Sequence, residues 1–429
     1  MGWLIRSIQR WWSSVQESNT SLANGPSLAV TPPVLLEFCQ NVIHENLLQQ
    51  FDRSYLDKML GDPVNGEVIF CNVDVSVLNE KNTMLIVRLD NAEEVCCQLR
   101  HFESVGSLKS YWYGDQVSDR RQRFPSAAEV EIDPVNRISL VRYGDIVLGE
   151  IRVNEQFYRL DYLGAGQHVL LKVNDAAMAR KCEPLHDDGS AQSPCTEQCA
   201  EPFANSTLRV LMLSTPEARE GFTMRPADYP SLEDIMRDQL WNADRQLQDS
   251  GVQIRYEFAG YLETSISERD ITPGELLRKI RTTEDPEQRP IQMARDNVKA
   301  QLVVMAIIDP SVLGKSYSTA RKQTAYALWQ IAGDFLSMAH QLGHLMGLEH
   351  AWQLGNPEFE PPYMHGYIMD DGSAGTIMTR SVDNMPVLPL FVYSDPTKEW
   401  EGKPLGTVEH HDAVRRLNER RSEVEKFYD

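Results

Sequence analysis

Cysteine is absent from the whole C-terminal half of this chain. All seven cysteines (Cys39, Cys71, Cys96, Cys97, Cys182, Cys195 and Cys199) precede Phe203, so disulfides cannot hold the rest together. The odd count leaves at least one thiol unpaired or free for chemistry. Positive charge is also short, with 42 Lys and Arg against 62 Asp and Glu and a net charge of −20. Such a balance excludes a phosphate-tracking surface, and no nucleic-acid partner is expected. No apolar run approaches the roughly eighteen residues that a membrane-spanning helix needs. The first residues also lack the unbroken apolar core and small-residue cleavage site of a secretory signal.

Met1 to about Gln16 places Leu4, Ile8, Trp11, Trp12 and Val15 on one helical face. This amphipathic start is expected to pack on its own protein, with a membrane surface as the weaker alternative. Glu17 to Pro33 reads as a polar linker and Glu37 to Leu60 as helix, so residues 1–60 form an N-terminal helical region. From Gly66 to Val173 the apolar period falls to two, in runs such as EVIFCNVDVSVL and ISLVRYGDIVLGEIRV, which predicts a β-rich domain over 61–175. A charged, Ser-, Pro- and Cys-bearing connector follows at 176–205.

Over 206–429 strand and helix patterns alternate. Thr207 to Ser214, VQIRYEF, Ala300 to Ile308 and Thr324 to Ile331 read as strands. Ser231 to Asp249 reads as a helix opened by a Ser-x-x-Asp cap, and Asp412 to Phe427 as the closing helix. The expected fold class is α+β, with strands crossing over through helices into a twisted, mostly parallel sheet.

Met338 to His350 reads MAHQLGHLMGLEH and spaces His340, His344 and His350 as H-x-x-x-H-x-x-G-x-x-H. Residues four apart share a helical face, so His340 and His344 can offer two imidazoles to one ion, with Asp334 placed to cap that helix. Gly347 can take a positive φ, reverse the chain and return His350 as a third ligand. Three ligands leave a fourth position open, as catalytic zinc requires. With 10 His and 25 Gly in 429 residues, chance gives this pattern in roughly three chains per ten thousand, which favours a zinc site over coincidence.

The pattern resembles the metzincin metalloprotease signature H-E-x-x-H-x-x-G-x-x-H. GTIM at Gly375–Met378 is similar to the methionine turn of that family, which implies that Met378 forms an apolar floor under the metal. HGY at His365–Tyr367, YSDP at Tyr393–Pro396 and GKPLGT at Gly402–Thr407 occur in the order found in bacterial members of the peptidyl-Asp metalloendopeptidase type. The likeness covers about Thr207 to Asp429 well, and extends more loosely to a preceding propeptide. It implies a zinc endopeptidase in zymogen form, with a protein or peptide as substrate and its own prodomain as partner. Arg380 stands where some members carry a tyrosine, so no tyrosine ligand is implied. A thiolate from the connector would silence the open position; Cys182 is the first candidate, and Cys195 and Cys199 are rivals or a disulfide with each other.

One residue departs from the signature. Gln341 occupies the place of the catalytic glutamate, and an amide cannot accept the proton that a general base takes. Either this is a natural pseudoprotease, acting as a peptide- or partner-binding protein, or an active enzyme has been altered at one position. The completeness of the remaining motif favours the second. A protease with a prodomain is expected to be secreted or translocated, and the resemblance points to a bacterium.

Overall fold

All eight residues of Ile146–Val153 are buried, although alternate residues of a strand face opposite ways. The reason is that both faces of this strand are covered. Val147, Ile151 and Val153 point into a barrel core, whereas Ile146 and Leu148 pack outward beside Tyr229 and Ile235 of the C-terminal half. The computed structural model describes residues 31–39, 53–89, 94–174, 177, 182, 184–186, 205–282, 289–333, 335–354, 359–379, 381–382 and 385–429. The expected N-terminal amphipathic helix, Cys195, Cys199, Asp334 and Arg380 lie outside them.

The barrel strands are β1 (Val34–Phe38), β2 (Asn65–Val73), β3 (Met84–Arg88), β4 (Glu94–Val105), β5 (Lys109–Gln116), β6 (Arg137–Tyr143), β7 (Ile146–Val153), β8 (Gln156–Gly164) and β9 (Gln167–Val173). They close in the order β1-β2-β9-β8-β7-β6-β5-β4-β3, antiparallel throughout except for the β1–β3 seam. Closure removes the exposed edges that an open sheet would carry. Gly149 is required where β6 and β7 approach: a Cβ there would stand 2.2 Å from the Ser139 carbonyl oxygen.

Helix α1 (Arg53–Gly61) lies against β2. Part of the expected Glu37–Leu60 helix is thus corrected, because Glu37 and Phe38 belong to β1. Leu35 and Leu36 are buried in the barrel, and that tertiary contact overrides local helical pattern.

The C-terminal half holds a five-stranded sheet of β10 (Ser206–Ser214), β11 (Ile254–Glu263), β12 (Leu302–Ile307), β13 (Gly314–Ser316) and β14 (Tyr326–Gln330), in the order β11-β10-β12-β14-β13. β12 and β14 are buried at every position, in keeping with their unbroken apolar runs. Against the sheet pack α2 (Leu232–Asp249), α3 (Pro273–Arg281), α4 (Arg289–Asn297), α5 (Phe335–Leu345) and α6 (Ala413–Glu425). Ser231 caps α2 with a full capping box to Asp234, and Asp412 caps α6.

The expected architecture, a metzincin-like twisted, mostly parallel sheet behind a β-rich prodomain, is overturned. The strands instead form a closed nine-stranded barrel together with mixed or antiparallel sheets, β13 running antiparallel to β14. Alternation reveals strands but not the partner of each edge. A three-residue edge strand such as β13 leaves no periodic signal at all.

Candidate metal centre

Helix α5 is apolar almost all round, and every side chain described from Leu336 to Leu345 is buried. Its position is set by polar contacts at its start: Trp329 Nε1 donates to Ser337 Oγ at 3.0 Å, and Tyr393 Oη donates to the Ala339 carbonyl at 2.9 Å. Gly347 ends it at φ +89°, with its amide on the His344 carbonyl and the Leu348 amide on the Gly343 carbonyl. These two bonds make the left-handed helix stop that only glycine adopts without strain. The chain then returns His350, braced by Gly366, whose amide donates to the Glu349 carbonyl, and by His365, whose Nδ1 lies 2.8 Å from the His350 carbonyl.

His340 Nδ1 lies 2.9 Å from the Ile377 carbonyl and His344 Nδ1 lies 2.8 Å from the Leu348 carbonyl. A carbonyl oxygen can only accept, so in the neutral rings Nδ1 carries the proton and Nε2 presents a lone pair. Those lone pairs converge: Nε2 atoms of His340 and His344 are 3.1 Å apart, and both lie 3.0–3.2 Å from His350 Nε2. Two bare lone pairs facing each other repel unless a Lewis acid stands between them. Tetrahedral donors about 2.0–2.1 Å from one ion are about 3.3–3.4 Å apart, close to the spacing here, so the residues fit a metal.

Cys182 is brought to the same place. Its Sγ lies 3.9 Å from His344 Nε2, and the four ligand atoms of Cys182, His340, His344 and His350 all fall within 4.8 Å of one another. Leu185, three residues on, is stitched to the sheet edge just beyond β13: its amide donates to the Ser316 carbonyl, and its carbonyl accepts from Ser318. His186 follows, stacked on Phe359.

Gln341 is wholly buried and its Nε2 donates to Cys182 Sγ at 3.1 Å. Its Oε1 is buried without a hydrogen-bond partner, an unpaired acceptor on the side chain that reaches Cys182. Gly314 makes room for this side chain, since a Cβ there would stand 2.8 Å from Gln341 Cδ and 2.6 Å from the Leu328 carbonyl oxygen. Met378 packs its sulfur against the helix at Gly343, where a Cβ would come within 2.7 Å. Gly314 lies in a three-residue edge strand without periodic signal and Gly343 inside the helical pattern, so nothing in the sequence marked either as a site residue.

Burial also perturbs the surrounding titrating groups. Glu349, adjacent to His350, is pushed up to about 7 by desolvation, which the Ser318 hydroxyl opposes by hydrogen bonding. Desolvation likewise pulls His365 down to about 4, keeping it neutral.

No family model matches the chain. It is similar to a peptidyl-Asp metalloendopeptidase of Xanthomonas campestris pv. campestris, 26% identical over 87% of this chain and 88% of that protein. Proteins of the same name from Stenotrophomonas maltophilia strains R551-3 and K279a are 26% and 25% identical, each over 87% of this chain and 89% of their own length. Among solved structures, metalloproteinase-II from Bacteroides fragilis aligns with a TM-score of 0.36 at 10% identity, over 64% of this chain and 83% of that one. The curated relatives, together with a Cys and three His grouped to hold one ion, support a metal-dependent peptidase.

Proposed function

We propose that this chain is a zinc-dependent endopeptidase with a metzincin-type active-site motif, held in a latent form and lacking its general base. The observation that carries this reading is the convergence of three imidazole Nε2 atoms within 3.0–3.2 Å, beside the side chain of Gln341. His340, His344 and His350 would hold the zinc. When bound, it supplies a Lewis acid able to polarise a peptide carbonyl and to acidify water. Gln341 can orient water by hydrogen bonding, but its amide cannot take up a proton. A glutamate there could, at almost the same volume, so Gln341 reads as a single substitution in a protease site. Peptides and unfolded proteins are the substrate class, and the relatives' name makes aspartate-containing peptides the first to assay. Cys182 beside the histidines supports latency, with its thiolate as a fourth ligand in place of water.

The test is Gln341→Glu. Fold and metal content should hardly change, while cleavage of a casein-like substrate should rise by about 10² to 10⁴. Self-cleavage within residues 175–205 would accompany it. If the Glu form with Cys182 also replaced cleaves neither itself nor the added substrate, the enzyme reading fails and a peptide-binding protein takes its place.

A further inference from the structure

The outer face of the barrel is not built for water. On β5, Trp112 points inward, which leaves Lys109, Tyr111 and Tyr113 on the outside; on β6 the same alternation exposes Arg137, Ser139 and Tyr143. These outward side chains are nonetheless buried or half-buried, because α2 lies across them. Asp238 of α2 accepts from Tyr111 Oη at 2.8 Å, Tyr143 Oη at 2.5 Å and Lys109 Nζ at 2.8 Å. About three turns on, Asp249 accepts from Arg137 Nη2 at 2.6 Å and from the Tyr113 hydroxyl. Between the two carboxylates, Trp241 stacks on Tyr111 with ring centroids 4.3 Å apart and planes 9° from parallel.

A second attachment lies elsewhere. The segment between β5 and β6 joins the hairpin β15 (Asp395–Trp400) and β16 (Lys403–Leu405): Val130 donates its amide to the Glu399 carbonyl, and Glu399 returns a bond to Ala128. The Glu129 carboxylate, paired with Arg120, accepts from the backbone amides of Glu401 and Gly402 at the hairpin turn. Val130 and Val135 then complete a small apolar core whose other members, Tyr367, Leu390 and Leu405 among them, come from the C-terminal half.

We infer that the barrel is a permanent partner of the C-terminal half, so that cutting the connector between them yields a two-chain protein and does not release the barrel. Separation would strand Asp238 and Asp249 without their donors, bare the Trp241 and Tyr111 rings, and open the apolar core at Val130 and Val135. Buried charge pairs around an aromatic anchor are where interface affinity concentrates. Burial holds both carboxylates above the usual aspartate range, as expected of groups placed inside an interface. The covalent link adds only effective concentration, which an interface of this kind does not need. Neither attachment uses the histidines, so the docking stands apart from the metal chemistry.

A cut made at will decides the matter. A recognition sequence for a site-specific protease is inserted within residues 187–204 of the full chain, digested to completion, and the product run on a sizing column at about 1 µM, where a complex of about 10 nM stays intact. The two fragments should co-elute and part only in denaturant; separate native elution overturns the inference. In the cut chain, Asp238→Ala with Asp249→Ala should raise the fragment dissociation constant about a hundredfold. Unchanged affinity would overturn the assignment of these carboxylates as anchors. Should that pair fail to fold, Trp241→Ser in the same assay replaces it: a comparable loss supports the face of α2 as the anchor, and unchanged affinity overturns it.

Discussion

The sulfur of Cys182 lies 3.1 Å from the Gln341 amide nitrogen and 3.9 Å from His344 Nε2, between the residue that should handle a proton and one that should hold the metal. A thiolate there would both fill the ion's open position and block the space that water needs. Cys182→Ala should therefore speed removal of bound zinc by a small chelator by about tenfold or more, the scale on which neighbouring groups tune metal sites. An unchanged rate would place the thiol outside the coordination sphere.

The three imidazoles form one unit, with His344 Nδ1 held by the Leu348 carbonyl and its Nε2 aimed at the other two. His344→Ala removes one of three nitrogen donors, and the purified variant should carry no stoichiometric zinc by elemental analysis. Full zinc content would move the metal away from this helix.

Gly314 is open to a different test. An added methyl would meet the Leu328 carbonyl oxygen at 2.6 Å and Gln341 Cδ at 2.8 Å, so Gly314→Ala must shift either backbone or the Gln341 side chain. Overpacking of this kind costs about 1–3 kcal/mol, visible as a lower melting temperature. In the Gln341→Glu background it should also cut hydrolysis more than it weakens zinc binding. Wild-type behaviour on both counts would show that β13 yields freely.

Inside the barrel, buried His168 accepts the Val147 amide through Nε2, and desolvation lowers its pKa to about 4. A histidine depressed in the folded state adds stability that is present above its unfolded pKa of about 6.5 and is lost as pH falls toward 4. That contribution is about 3 kcal/mol at most. Denaturant melts at pH 7 and pH 4 should show a smaller loss for His168→Gln than for the parent chain; equal losses would remove His168 from the acid response.

The grouping of His340, His344 and His350 was legible because it is local: an i, i+4 pair of histidines and a glycine stop need only helix geometry to meet. The same holds for Ser231 as a helix cap, for the closing helix that begins at Asp412, and for the apolar runs that became β12 and β14. Cys182 is different. The sequence put Cys182 ahead of Cys195 and Cys199 without a geometric reason, and the placement of Cys182 beside His344 follows from the pairing of Leu185 with the sheet edge. Barrel closure, the covered outer face of β5 and β6, and the room that Gly314 leaves for Gln341 also depend on residues far apart in the chain. The sequence alone determined which side chains could bind a metal and which faces were apolar, since both repeat within a few residues. Only the tertiary structure decided which edge met which, because alternation along a strand says which side is buried and nothing about what buries it.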